Sequence, residues 1–146
     1  MSHLVHGSCH CANIRVQARL SRELHDYQPR ACDCGFCQRH GAAYISDAAG
    51  SLAIEWRDEP GRYRHGSRNA EFLFCRQCGV LVGVTHEADG RTFAALNIRA
   101  LDSELGFAAT APASPQQLPP EQRIERWKKL WFADVVLRPT NAASPA

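Results

Sequence analysis

Apolar and polar side chains alternate in short runs through most of the first hundred residues. Ile14 and Val16 alternate with Arg15 and Gln17, a period of two that puts one pair on each face of an extended chain. Residues 44–46 and 52–56 also read as strands, 72–74 form a Phe-Leu-Phe run, and 80–84 and 93–98 supply further apolar segments. Between the last two, Ala88-Asp89-Gly90-Arg91 has the composition of a tight hairpin turn. Trp56, Phe72, Phe74 and Phe93 occupy strand positions and are assigned to the core rather than to a substrate platform. A helical period appears once, in residues 121–132, where Ile124, Trp127 and Trp131 form a stripe that packs on the sheet and Arg and Lys face water. The Pro-rich residues 111–120 read as a loop leading into that helix, and 139–146 as a frayed tail. The pattern predicts a mostly β protein of antiparallel sheets with a short C-terminal helix, in one domain over residues 1–138.

Length and composition agree with one domain. A chain of 146 residues is long enough for a single core, and 45% hydrophobic with 22% charged residues describes a globular chain rather than a disordered one. No apolar run approaches the roughly 18 residues of a membrane span, and the first residues lack a secretion signal, so a cytoplasmic protein with no membrane partner is expected. A formal charge of +2 supplies no basic field of the kind that nucleic acid requires, and no nucleic-acid partner is expected.

Cysteine changes the picture. There are seven, an odd number in a chain without a secretion signal, which argues for metal ligation over a disulfide framework. Each belongs to a cluster: Cys9 and Cys11; Cys32, Cys34 and Cys37; Cys75 and Cys78. Thiols two apart on an extended segment point the same way, so Cys9 and Cys11 can grip one ion. Cys75-Arg76-Gln77-Cys78-Gly79 has the form of a zinc knuckle, with Gly79 free to take the positive φ that turns amides toward the sulfurs. Cys32-Asp33-Cys34-Gly35-Phe36-Cys37 offers three thiols in one short loop. Structural zinc closes with four ligands and catalytic zinc keeps a position open, so seven divides as four plus three. Cys9, Cys11, Cys75 and Cys78 would form a closed zinc site, and Cys32, Cys34 and Cys37 a second zinc site with an open corner. Alternatively His40, or less readily His10, completes the second site, or that site stays empty at rest.

The motifs Gly7-Ser8-Cys9-His10-Cys11, Cys32-x-Cys34-x-x-Cys37-Gln38-Arg39 and Phe74-Cys75-x-x-Cys78-Gly79 occur in this order. Together they resemble the glutathione-dependent formaldehyde-activating enzyme family, which includes centromere-protein-V-like proteins, from about Gly7 to about Leu101. The resemblance implies a β-tent fold stapled by a structural zinc, a catalytic-type zinc at Cys32, Cys34 and Cys37, and glutathione as co-substrate. It further implies a carbon–sulfur lyase of the S-(hydroxymethyl)glutathione synthase type, joining glutathione or a related thiol to formaldehyde or another small aldehyde. A zinc with three thiolates and an open corner suits this chemistry, because it lowers the pKa of an incoming thiol more readily than it polarises a carbonyl. The carboxylates of glutathione call for guanidinium partners. Arg39, beside the triple cluster, is the first candidate, with Arg64 and Arg68 behind it. Asp33 or His40 could move the proton. The alternative is a non-catalytic, zinc-stapled binding or metal- or redox-sensing module. A dithiol oxidoreductase using Cys34 and Cys37 is disfavoured by the apparent lack of a strand-to-helix context.

Overall fold

The computed structural model describes residues 3–102 and 106–140. Along the chain the strands are β1 (His3–Ser8), β2 (Ile14–Leu20), β3 (Arg30–Cys32), β4 (Tyr44–Ile45), β5 (Ser51–Trp56) and β6 (Gly61–Tyr63), then β7 (Glu71–Phe74), β8 (Leu81–Ala88), β9 (Arg91–Asn97), β10 (Ala111–Ala113) and β11 (Asp134–Pro139). Two α-helices, α1 (Gly35–His40) and α2 (Pro120–Leu130), complete the fold with short 3-10 turns. The strands form a four-stranded sheet, β1-β2-β5-β11, and a seven-stranded sheet, β10-β3-β4-β9-β8-β7-β6. The expected mostly β architecture is thus present, and it is built as two sheets.

The period of two works as the sequence implies. Along β2, Ile14, Val16, Ala18 and Leu20 are buried and the residues between them exposed, while Leu52, Ile54 and Trp56 of β5 point the same way from the adjacent strand. They meet Val82 of β8 and Leu96 of β9 from the second sheet, with Phe132 fully buried among them. The hairpin at Asp89-Gly90 joins β8 to β9 in an unbroken antiparallel register from Gly83↔Leu96 to Ala88↔Arg91. Gly7 is a position where a side chain cannot fit, because a Cβ there would lie 2.0 Å from the carbonyl oxygen of Ala100. At that point β1 bridges to Leu101, where the two sheets approach each other.

The pairings are mostly antiparallel, with two parallel exceptions at the sheet edges, β10 beside β3 and β11 beside β5. Three expectations need correction. The segment 111–120 contains β10 and a 3-10 turn as well as loop, because its backbone pairs with Arg30–Cys32 despite Pro112. The helix spans Pro120–Leu130 and stops before Phe132, whose N–H and C=O both bond to Ala94. Pro139 is not frayed but closes the edge strand β11 opposite Trp56, a position where a proline disrupts no central ladder. Residues 141–146 of the expected tail lie outside the described residues.

Candidate metal centres and the cavity between them and the helix

Cys9 and Cys11 follow β1, in the turn that leads to β2; Cys75 and Cys78 sit in the turn between β7 and β8. Each turn belongs to a different sheet, so the meeting of their thiols ties the sheets together. All four sulfurs lie within 4.8 Å of one another. Cys9 Sγ is 3.7 Å from Cys11 Sγ, which is 3.6 Å from Cys75 Sγ. A tetrahedral zinc with Zn–S bonds of about 2.3 Å has sulfur–sulfur edges of about 3.8 Å, so the residues fit the ion. Backbone N–H groups complete the cradle: Ile14 donates to Cys9 Sγ at 3.2 Å, and Gln77 and Cys78 donate to Cys75 Sγ. Gly79 takes φ +81° and returns its N–H to the carbonyl of Cys75 at 2.8 Å, as the knuckle requires. The electrostatics divide the four. Burial pushes Cys9 up to about 12, whereas at Cys78 the N–H groups of Val80 and Cys11 outweigh burial and bring the thiol down to about 6. Asn13 is a neighbour that no spacing rule marks. It is buried, exchanges hydrogen bonds with the backbone of Asp58, and directs its side-chain N–H at Cys75 Sγ.

The second group is built on a shorter piece of chain. Cys32 ends β3, Cys34 is the N-cap of α1, and Cys37 lies one turn into that helix. Cys34 Sγ accepts the Cys37 N–H at 3.3 Å, which holds the two residues in register. The three sulfurs again lie within 4.8 Å of one another. The triple cluster is therefore not a plain loop, and the strand-to-helix context thought absent is present. Cys37 Sγ is in hydrogen-bond contact with the Tyr44 hydroxyl at 3.1 Å. The Cys37 side-chain contact holds Cys32 down at about 6 against the effect of its burial, while the same contact and burial push Cys37 itself upward. Burial and the neighbouring Cys37 also raise Tyr44, so its phenol keeps its proton.

The triple-cysteine group borders a cavity of about 480 Å³, the size range that takes a small organic ligand. Cys32 and Cys37 line it, and Cys34 does not. Tyr44 and Phe72 join them, so Phe72 is not core alone. Arg30 and Arg126 also line it, and no Asp or Glu does so among the described residues. Burial and then the charge of Arg126 hold Arg30 below its ordinary value, the mark of two guanidinium groups facing one space without an anion between them. Trp127 and Trp131 of the predicted stripe also line the cavity instead of only packing on the sheet.

The other candidates are elsewhere. Arg39 is exposed, donates to the carbonyl of Gly35 at 2.9 Å within its own helix, and does not line the cavity. Arg64 pairs with Glu71, and Arg68 is an exposed turn residue with φ +63°. Asp33 accepts from Ser114 at 2.5 Å and Gln116 at 3.1 Å, which fastens the triple cluster to the segment after β10. His40 is exposed and rests on Phe36 with ring centres 4.7 Å apart; neither it nor His10 joins either group of ligands. Arg30, Arg126 and Tyr44 carry no local sequence signal, since only the pairing of β3 with β4 and the return of α2 bring them to the thiols.

Fold and site define a two-sheet β protein that gathers seven free thiols into two groups able to hold metal. Residues 4–117 match the family model described as glutathione-dependent formaldehyde-activating enzyme, and the chain belongs to that family. It is also similar to a protein of Rhodobacter sphaeroides known from a crystal structure, at 26% identity and a TM-score of 0.52, covering 73% of this chain and 99% of that one. No helix among the described residues is long and apolar enough to cross a membrane.

Proposed function

We propose that the chain is a carbon–sulfur lyase of the S-(hydroxymethyl)glutathione synthase type, joining glutathione to formaldehyde or another small aldehyde. The observation that carries this reading is one cavity lined by thiols of the triple-cysteine group, a protonated phenol and two guanidinium groups, with no acidic side chain among the described residues. Zinc held by Cys32, Cys34 and Cys37 would supply an open corner at which a thiol loses its proton more readily. Zinc held by Cys9, Cys11, Cys75 and Cys78 would be structural. A reducing cytoplasm, where thiols stay free, suits both groups.

The protein's own groups then have separate tasks. Arg30 and Arg126 pair with carboxylates of glutathione, for which planar guanidinium groups are suited, and take the place first given to Arg39. The thiolate sulfur attacks the aldehyde carbon, an S–C bond forms, and the carbonyl π electrons pass to oxygen. The proton released by the thiol ends on that oxygen, giving a hydroxyalkyl thioether with no change of oxidation state. Tyr44 stands at the cavity wall with its hydroxyl 3.1 Å from Cys37 Sγ, so its O–H would support the ligating sulfur rather than the reacting oxygen, while neither Asp33 nor His40 lines the cavity to take the proton.

The test is exchange between glutathione and its formaldehyde adduct, followed by NMR, together with sulfur counting at the zinc absorption edge. Zinc-loaded protein is expected to accelerate exchange over the spontaneous rate and to gain one sulfur ligand per chain when glutathione is added. Arg30→Met and Arg126→Met should raise KM for glutathione about 10-fold or more each, the loss of a charge-assisted contact. A closed sulfur shell indifferent to glutathione, with no acceleration, would instead support a zinc-stapled binding module.

A further inference from the structure

Arg30, Arg126, Tyr44 and the thiols occupy part of the cavity, and the rest is apolar. Val84, Leu118, Trp127, Leu130 and Trp131 line it together with Phe72. Formaldehyde carries only hydrogens on its carbon, and glutathione is a hydrophilic peptide with a charged group at each end. Neither calls for an aromatic wall.

The wall is also tied into the fold by several contacts. Trp127 and Trp131 stack with ring centres 4.8 Å apart and planes 19° from parallel. Behind them His86 lies 5.3 Å from the Trp127 ring, and its Nδ1 is held by the carbonyl of Asn69 at 2.6 Å. Just past the helix, Phe132 exchanges backbone hydrogen bonds of 3.0 and 2.9 Å with Ala94 of β9. Helix α2 is thus pinned from both the ring stack and the sheet. The family match ends at residue 117, so Leu118, Trp127, Leu130 and Trp131 come from beyond the matched part of the chain.

We propose that this wall is an apolar subsite for the substituent on the carbonyl carbon, so that the electrophile this protein takes is an aldehyde bearing an alkyl or aromatic group. The inference rests on the glutathione reading above. In the adduct the new S–C bond would place that substituent between the thiols and the Trp127–Trp131 stack. The chemistry is unchanged: one S–C bond forms, and the thiol proton moves to oxygen. The α2 wall then sets which aldehyde is used, while the two sheets and the cysteine groups supply the reaction.

S-methyl-, S-butyl- and S-benzylglutathione reproduce the substituent in place and can be titrated calorimetrically into zinc-loaded protein. Affinity is expected to rise about 4-fold for each methylene that becomes fully buried, hence tens of fold from methyl to butyl, with benzyl also tighter than methyl. Leu130→Asp, at a partly exposed wall position where folding is not at stake, should flatten the series, as should Trp131→Ala. In turnover, kcat/KM should be higher for butanal or benzaldehyde than for formaldehyde. Equal affinities for the methyl, butyl and benzyl compounds, with glutathione itself bound, would overturn the subsite and leave the glutathione reading standing. Failure of glutathione and all three thioethers to bind would overturn both.

Discussion

The two cysteine groups use the same atoms for opposite ends. Cys9, Cys11, Cys75 and Cys78 come from turns 64 residues apart and join two sheets, whereas Cys32, Cys34 and Cys37 come from one strand end and one short helix. The first group has four sulfurs, the number that closes a tetrahedral zinc shell; the second has three, and two of them face a cavity. A ligand set that spans distant segments converts metal affinity into fold stability, since separating the sheets means losing the ion. A ligand set from one local segment contributes little to the fold because its residues stay near one another in any case. With three sulfurs, a tetrahedral zinc held there would keep one corner for a ligand from the cavity beside it.

The largest effect should follow from breaking the first group. Cys75→Ala removes one of four ligands from a junction where zinc binding of about 10 kcal/mol or more is coupled to folding, so the variant should be largely unfolded or insoluble and short by one zinc. Circular dichroism and metal analysis measure both. A soluble, fully folded Cys75→Ala protein with unchanged zinc would contradict the structural assignment. Cys34→Ala should do the reverse. Its melting temperature should stay within a few degrees of the parent, one zinc should remain, and adduct exchange should fall about 100-fold or more, the scale on which loss of a catalytic group is felt.

Asp47 sharpens the contrast, because it stabilises the fold without touching metal. It is buried; its Oδ2 accepts from the Ser21 N–H at 2.8 Å, the Ser21 hydroxyl at 2.7 Å and the Tyr27 hydroxyl at 2.6 Å, and its Oδ1 from the Ala49 N–H at 3.0 Å. Burial opposes the charge, but these donors outweigh it and hold the carboxyl below its ordinary 3.8. Asp47→Asn should therefore cost about 2–3 kcal/mol in urea denaturation at pH 7, with zinc content and exchange activity retained. A depressed carboxyl contributes its stability above the unfolded value and loses it as pH falls through the folded one. The gap between parent and variant should accordingly stay constant down to about pH 5 and close only below the ordinary value of the carboxyl. A gap that has already closed at pH 5 would mean that the carboxylate is not the source.

Much of this contrast is legible in the chain itself. Cys9-x-Cys11 and Cys75-x-x-Cys78 announce their pairing by spacing, and the alternation in 14–20 and 52–56 announces the strands that carry it. The metal groups are local chemistry, and local chemistry survives in one dimension. The cavity does not. Arg30 and Arg126 are 96 positions apart and meet only because α2 folds back over the larger sheet, while the nearer Arg39 turns to its own helix carbonyl. The stripe of Ile124, Trp127 and Trp131 was visible as a buried face, but periodicity cannot distinguish rings that pack on a sheet from rings that line a space above it. Strands β10 and β11 escaped for a related reason. Each is an edge strand in parallel pairing with a distant segment; in β11 Val135 and Leu137 pack against the core while the apolar Val136 between them is exposed, and in β10 the residues are small or proline, so neither segment shows a period of two in its sequence.

The finest test concerns the link between the triple-cysteine group and its cavity. Tyr44 lies on β4, four residues beyond the end of α1, and reaches back so that its hydroxyl stands 3.1 Å from Cys37 Sγ. With Cys37 ligating a metal its sulfur carries no proton, so the phenol is the donor, and a donor to a ligating sulfur draws electron density away from the metal. Tyr44→Phe keeps the ring and removes only that O–H. The fold should hold, while kcat/KM or the affinity of the second metal should change by about 10-fold, the lower end for loss of a partner to a ligand. Cobalt in place of zinc supplies a readout independent of turnover: the sulfur-to-metal charge-transfer band of the three-thiolate site should move to lower energy in Tyr44→Phe, because the freed sulfur is easier to oxidise. The four-sulfur site should keep its spectrum. An unchanged band at the triple-cysteine site would show that the hydroxyl only fills space, and a shift at both sites would show that the two groups are less separate than their placement on the chain implies.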